Sequence, residues 1–219
     1  MNKKLQIKVC GMKYLFNRRE LENLPVDWFG FIFYRPSPRY AGGLPENDLR
    51  ELTSTSAKKT AVFVDAPLSE VFAVAARYGF SHVQLHGREN PEYCRQVRAA
   101  GLKVIKVFRL HPDFRFEETE VFAGVADFFL FDTKTEQWGG SGQKFNWQIL
   151  ENYKLTVPFF LRGGIGPGDA EALLNFSHPV LYGIDLNSGF EDFPGMKDHE
   201  KLKKFLERMV KTQLVTIQT

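Results

Sequence analysis

Eight short apolar runs rich in β-branched and aromatic residues alternate with longer amphipathic stretches, and glycines or reactive side chains follow the runs. This pattern predicts an α/β fold, a single (β/α)8 TIM barrel. Alternation of this kind implies βα units and a parallel sheet. Eight units within 219 residues favour a closed barrel over an open doubly wound sheet. There is no repeat of 20 to 50 residues, no low-complexity linker and no second apolar pattern, so residues 1–219 are read as one domain.

The expected strands are residues 5–9 (LQIKV), 28–34 (WFGFIFY), 60–64 (TAVFV), 80–85 (FSHVQL), 103–108 (KVIKVF), 126–131 (ADFFLF), 157–161 (VPFFL) and 180–184 (VLYGI). Helices are expected over 68–78, with Ser69 as a capping residue, and over 91–100. The second opens on Asn90-Pro91, a cap followed by proline at the first helical position, and Gly101 follows its end. Residues 167–174 and 199–211 complete the set, with a shorter, weaker helix over 16–24. The polar tail 213–219 is expected to fray.

Hydrophobic residues make up 43% and charged residues 25%, which excludes a disordered chain. The net charge of +3 argues against nucleic acid, which calls for basic residues clustered on one element. Lys103 and Lys106 on a strand, and Lys201, Lys203 and Lys204 on a helix, read as solvated faces. No apolar run approaches membrane-spanning length, and the basic start Met1-Asn2-Lys3-Lys4 lacks a following apolar stretch. A cytoplasmic chain with Cys10 and Cys94 both reduced is expected.

In such a barrel the chemistry belongs at the C-terminal ends of the strands. Lys8 and Cys10 are two apart and share the inward face of the first strand, while Ile7 and Val9 face the helices. A neighbouring ammonium favours the thiolate, a proton acceptor; the alternative is a small buried cysteine. Cys94 lies within a helix and reads as structural. Arg39 follows the second strand in a loop stiffened by Pro36 and Pro38, suited to a planar carboxylate or to solvent. Gln84 and His86 share an inward face at the end of the fourth strand. No second ligand stands at metal spacing, so neither metal nor cofactor is expected. Asp132 closes the apolar sixth strand, where partial desolvation would raise its pKa and suit it to general-acid work. The loop Gly139-Gly140-Ser141-Gly142 behind it is expected to close over a ligand. Gly163 and Gly164 follow the seventh strand; Gly183, Asp185, Asn187 and Ser188 lie along and after the eighth. Glycines there let backbone N–H groups approach a phosphate, and Ser188-Gly189 can begin the short extra helix of such sites. Cys10 and Asp132 would then face each other across the mouth, with the anion between them.

Taken in order, Lys8-Val9-Cys10-Gly11, Gly30-Phe31-Ile32-Phe33-Tyr34, Ser37-Pro38-Arg39, Val83-Gln84-Leu85-His86-Gly87, Asp132, Gly139-Gly140-Ser141-Gly142, Gly163-Gly164, Asp185-Leu186-Asn187-Ser188-Gly189 and Pro194-Gly195-Met196-Lys197-Asp198 resemble the phosphoribosylanthranilate isomerase family over nearly the whole chain. The resemblance implies a cofactor-free aldose–ketose isomerisation of tryptophan biosynthesis: N-(5-phosphoribosyl)anthranilate becomes 1-(o-carboxyphenylamino)-1-deoxyribulose 5-phosphate. It implies Asp132 as general acid, Cys10 as general base, Arg39 on the anthranilate carboxylate, and Gly164, Asp185 and Ser188 in the phosphate loops. It also implies a monomer or a homodimer with a small phosphosugar as partner. Lys8, Gln84, His86 and Arg162 are further substrate-binding candidates. Arg162 departs from the family, which usually has a small residue there. It is expected to add a cation for the substrate or to pair with Asp132 or Asp185; a pairing with Asp132 would hold that carboxyl ionised, against a general-acid role. Residues 12–27 and 190–193 match only loosely. The alternatives are another phosphate-binding barrel enzyme, a sugar-phosphate epimerase or indole-glycerol-phosphate synthase, and a non-catalytic phosphosugar-binding protein. A metal-dependent epimerase would want several His and Asp ligands at strand ends; of five histidines only His86 sits at one.

Overall fold

The computed structural model describes residues 4–46, 49, 57–132 and 147–216. All eight expected strands form, and they close in sequence order into a parallel barrel. They are β1 (Gln6–Cys10), β2 (Trp28–Ile32), β3 (Lys58–Phe63), β4 (His82–Leu85), β5 (Lys103–Arg109), β6 (Phe128–Asp132), β7 (Phe159–Arg162) and β8 (Leu181–Leu186). β8 pairs back onto β1, so the barrel itself has no open edge. A two-stranded antiparallel hairpin, β9 (Glu191–Phe193) and β10 (Met196–Lys197), follows β8.

The helices named here are α1 (Leu15–Leu21), α2 (Leu68–Tyr78), α3 (Pro91–Ala99), α4 (Ala170–Asn175) and α5 (His199–Thr216). Asn90 caps α3 as expected, its side chain accepting from the Tyr93 N–H at 2.9 Å. Ser69 does not cap α2; Pro67 occupies the cap position and no side-chain cap bond forms. Gly79 ends α2 at φ +66, and the Phe80 N–H turns back to the Ala75 carbonyl, so β4 starts two residues later than its pattern implies. The expected helix over 167–174 divides into a 3-10 turn, Pro167–Asp169, and α4. The crossovers after β5 and β6 contain the 3-10 helices Phe116–Phe122 and Trp147–Asn152. The tail expected to fray continues α5 to Thr216.

Alternation along the strands makes two cores. Outward residues such as Val9, Phe29, Phe129, Phe159 and Ile184 are buried together with Leu202 and Phe205 of α5. Inside the barrel, Trp28, Ile105, Val107, Leu130 and Phe160 pack with Phe128 and Tyr182. Trp28 meets Phe160 edge-on at 5.4 Å and Phe128 at 5.8 Å. Full burial of a ring such as that of Phe160 contributes about 1.5–3 kcal/mol. This aromatic plug fills the interior below the polar layer at the C-terminal strand ends.

Lys106 is not on a solvated face. With Ile105 and Val107 committed to the barrel interior, Lys106 points into the outer layer and is 3% exposed. Its ammonium is met there by Glu89 at 2.8 Å and by the Gly87 carbonyl at 2.8 Å. The same carboxylate accepts the Gly87 and Asp65 N–H groups, which ties down the turn after β4. Lys103, Lys201, Lys203 and Lys204 are exposed, as expected.

Candidate active site

Strand register gathers the ionisable residues. Lys8 on β1 aligns with Asp185 on β8, Asp185 with Arg162 on β7, and Arg162 with Asp132 on β6. All four therefore lie in one layer across the barrel. The Lys8 ammonium meets Asp185 Oδ1 at 2.9 Å, with both side chains fully buried. Arg162 stands between the two carboxylates, with Nη1 3.5 Å from Asp185 Oδ2 and Nε 3.6 Å from Asp132 Oδ2. Burial would discharge Arg162, but Asp185, Cys10 and Asp132 together raise its pKa above the ordinary value. The layer thus holds two cations against two carboxylates. Arg162 pairs with both aspartates that the sequence offered as its alternatives.

His86 extends the layer. Its Nε2 lies 3.4 Å from Asp132 Oδ2, and its Nδ1 faces the Gln84 amide at 3.2 Å. Burial lowers the His86 pKa, partly opposed by its bond to Asp132. The neutral ring that satisfies both neighbours accepts from Gln84 at Nδ1 and donates from Nε2 to Asp132.

Above the layer lies a cavity of about 120 Å³, lined by Arg39, Asp132, Arg162, Gly163, Gly164, Ile165, Asp185, Asn187, Ser188 and Gly189. The loops after β7 and β8 form its wall. They pack so closely that a Cβ on Gly189 would stand 2.4 Å from the Ile165 carbonyl oxygen. Gly163 and Gly164 both take positive φ, at +103 and +65. The expected short helix is present as the 3-10 turn Ser188–Phe190.

Three expected site residues are placed differently. Gly183 does not reach the phosphate loops. It pairs with Gln6 near the start of β1, where a Cβ would meet the Gln6 carbonyl oxygen at 2.4 Å and Phe160 at 2.9 Å. Its missing side chain serves strand packing. Cys10 lies at the same end of the barrel as Asp132, yet it has no exposed surface and does not line the cavity. It aligns with Gly30, whose Cβ would stand 2.7 Å from the sulfur and 2.9 Å from the Lys8 ammonium. The thiol thus sits beside the ammonium, as alternation along β1 implies. The next residue, Gly11, takes φ +78 beneath the side chains of Asn187 and Arg39. Arg39 is held by Glu191 rather than by solvent, with Nε at 2.9 Å from Oε1 and Nη2 at 2.5 Å from Oε2. Glu191 and Lys197 are functional candidates that motif reading left without a role. The loop 139–142 lies outside the described residues. Cys94 is buried in α3, and burial pushes its thiol up to about 11. Among the described residues no group of three or more His, Cys, Asp or Glu is placed to hold a metal ion.

The closed parallel barrel, with its charged layer and cavity at the C-terminal strand ends, defines an enzyme of the (β/α)8-barrel class. A family model described as N-(5'phosphoribosyl)anthranilate (PRA) isomerase matches residues 7–208. The chain belongs to the phosphoribosylanthranilate isomerase family. An N-(5'-phosphoribosyl)anthranilate isomerase of Parabacteroides distasonis is 45% identical over 205 residues, 93% of each chain. Its counterpart in Phocaeicola vulgatus is 43% identical over 203 residues, covering 93% of this chain and 97% of that one. The phosphoribosyl anthranilate isomerase of Thermus thermophilus shares the fold with a TM-score of 0.78 at 28% identity, over 95% of this chain and 100% of that one. A phosphoribosyl anthranilate isomerase in complex with reduced 1-(o-carboxyphenylamino)-1-deoxyribulose 5-phosphate gives 0.77 at 25%, over 94% and 99%.

Proposed function

We propose that this chain, as one catalytic domain, converts N-(5-phosphoribosyl)anthranilate to 1-(o-carboxyphenylamino)-1-deoxyribulose 5-phosphate in tryptophan biosynthesis, by acid–base chemistry of its own side chains. The observation that carries the reading is the position of Asp132, in the wall of the same cavity as the loops Gly163–Ile165 and Asn187–Gly189. The phosphate binds against those loops, with Ser188 and Asn187 as donors and Arg162 as counter-charge. Arg39 takes the anthranilate carboxylate, which suits the planar guanidinium.

When the substrate phosphate takes up the charge of Arg162, which otherwise holds Asp132 ionised at 3.6 Å, Asp132 gains a proton, and it then donates this proton to the furanose ring oxygen. The bond from that oxygen to the first sugar carbon breaks, and the anthranilate nitrogen lone pair forms the Schiff base. Cys10, as thiolate, removes the proton from the second carbon. The electron pair of that C–H bond restores the neutral amine, giving an enol that tautomerises to the ketose. His86, with Nε2 3.4 Å from Asp132 Oδ2, orients the carboxyl group. Because the thiol has no exposed surface, the reaction requires the chain around Cys10 to shift as substrate enters. Arg39 and Asn187 line the cavity, where substrate contacts them directly.

Loss of anthranilate fluorescence follows turnover. Cys10→Ala and Asp132→Asn are each expected to lower kcat by about a hundredfold or more, the usual general acid–base contribution. Near-normal kcat in either variant rejects its assigned role. No described helix is long and apolar enough to cross a membrane, and we place the enzyme in the cytoplasm, acting as a monomer or homodimer.

A further inference from the structure

Glu191 is a carboxylate almost without solvent, its side chain 4% exposed, and it collects three donors. Arg39 binds it through Nε and Nη2. The Lys197 ammonium lies at 2.5 Å, and the Gly195 N–H donates at 3.0 Å. Lys197 is itself anchored at both backbone groups by Asn17 of α1: its N–H donates to Asn17 Oδ1 at 2.7 Å and its carbonyl accepts from Nδ2 at 2.8 Å. Its ammonium also reaches Asn187 Oδ1, at 2.7 Å, in the cavity wall.

A guanidinium has two edges able to bind a carboxylate in parallel, Nε with Nη2 and Nη1 with Nη2. Glu191 occupies the first. Nη1 takes no part in these contacts. One carboxylate against one guanidinium would leave no net charge to attract a second anion. Lys197 changes that balance, since Arg39, Glu191 and Lys197 together carry one net positive charge. Glu191 therefore fixes the orientation of Arg39 without discharging the cluster.

We propose that Glu191, backed by Lys197, is the positioning residue that holds Arg39 by its Nε/Nη2 edge and presents the other edge to the substrate's carboxylate. The inference rests on the reading of Arg39 as the anthranilate-carboxylate receptor. It places substrate selectivity partly in the β9–β10 hairpin, which carries Glu191 and Lys197 outside the barrel strands.

The test uses two non-reacting ligands, reduced 1-(o-carboxyphenylamino)-1-deoxyribulose 5-phosphate and the same compound without its ring carboxylate. Dissociation constants are measured for the wild type and for Arg39→Ala, Glu191→Gln, Glu191→Asp and Lys197→Met. Glu191→Gln is expected to weaken the carboxylated ligand tenfold or more and the decarboxylated ligand less than twofold; Lys197→Met, which also frees Asn187 in the phosphate loop, is expected to weaken both, the carboxylated one at least fivefold more. Glu191→Asp should recover part of the loss. Equal weakening of both ligands means that Glu191 only supports the fold, and overturns the proposal. Tighter binding of the carboxylated ligand by Glu191→Gln means that Glu191 competes with substrate, and also overturns it. If Arg39→Ala leaves the preference for the carboxylate intact, the reading of Arg39 itself fails, whatever Glu191 does.

Discussion

Removing Asp185 tests whether the charged layer holds the barrel together. Asp185 has Lys8 at 2.9 Å on one oxygen and Arg162 at 3.5 Å on the other. Asp185→Leu would leave the Lys8 ammonium fully buried without its carboxylate. Breaking a buried pair from one side costs about 3–5 kcal/mol, because the remaining charge is uncompensated. In a protein of this size each kcal/mol shifts the melting temperature by about 2–4 °C. The expected loss is therefore roughly 6–20 °C. Replacing both partners, Lys8→Met with Asp185→Leu, should recover most of it, since apolar side chains of similar volume are often neutral in place of a buried pair. Arg162 keeps Asp132 at 3.6 Å in that double variant. Thermal and urea unfolding followed by circular dichroism measure both effects. A single-variant cost below about 1 kcal/mol, the value of an exposed pair, would refute the reasoning, as would a double variant less stable than the single.

Other outcomes follow from local geometry. Gly11→Ala puts a side chain at φ +78, where its Cβ would stand 2.7 Å from Asn187 Oδ1 and 2.8 Å from Arg39 Cδ. It should lose about 1–3 kcal/mol and bind the carboxylated ligand more weakly; urea unfolding and the same binding assay read both, and wild-type values in each would contradict the close approach. Burial, and then Lys58, lower the His82 pKa from 6.5 to about 4. The unfolded chain consequently takes up the proton first, so the stability due to neutral His82 is complete above about pH 6.5 and fades as pH falls toward 4. Urea midpoints across this window should fall less steeply in His82→Gln than in the wild type, and parallel curves would count against it. With its thiol pushed up to about 11 and its side chain buried, Cys94 should resist thiol reagents near pH 8, and Cys94→Ala should retain turnover; rapid labelling of native Cys94 would show the burial to be wrong.

Local pattern was sufficient for the barrel itself. Period-two alternation placed Lys8 with Cys10 and Gln84 with His86 on inward faces, and turn residues such as Asn90-Pro91 and Gly101 marked the ends of α3. These are properties of neighbours in the chain, so they are visible in the sequence. The same reasoning failed where a partner had to come from afar. Lys106 reads as solvated until Glu89, seventeen residues back, reaches it from the turn after β4. Gly183 reads as a phosphate-loop glycine until Gln6 closes against it across the β8–β1 seam.

Length, element order, the strand-end inventory and the family motifs were thus settled by the sequence alone. Tertiary structure alone decided which charges meet. Lys8 and Asp185 are 177 residues apart, and Arg39 and Glu191 are 152 apart. Their pairing depends on barrel closure and on the packing of the hairpin after β8, neither of which leaves a periodic trace in the chain. A charged side chain can settle at a dry strand end only where an opposite charge already waits, so its fate is a property of the assembled barrel.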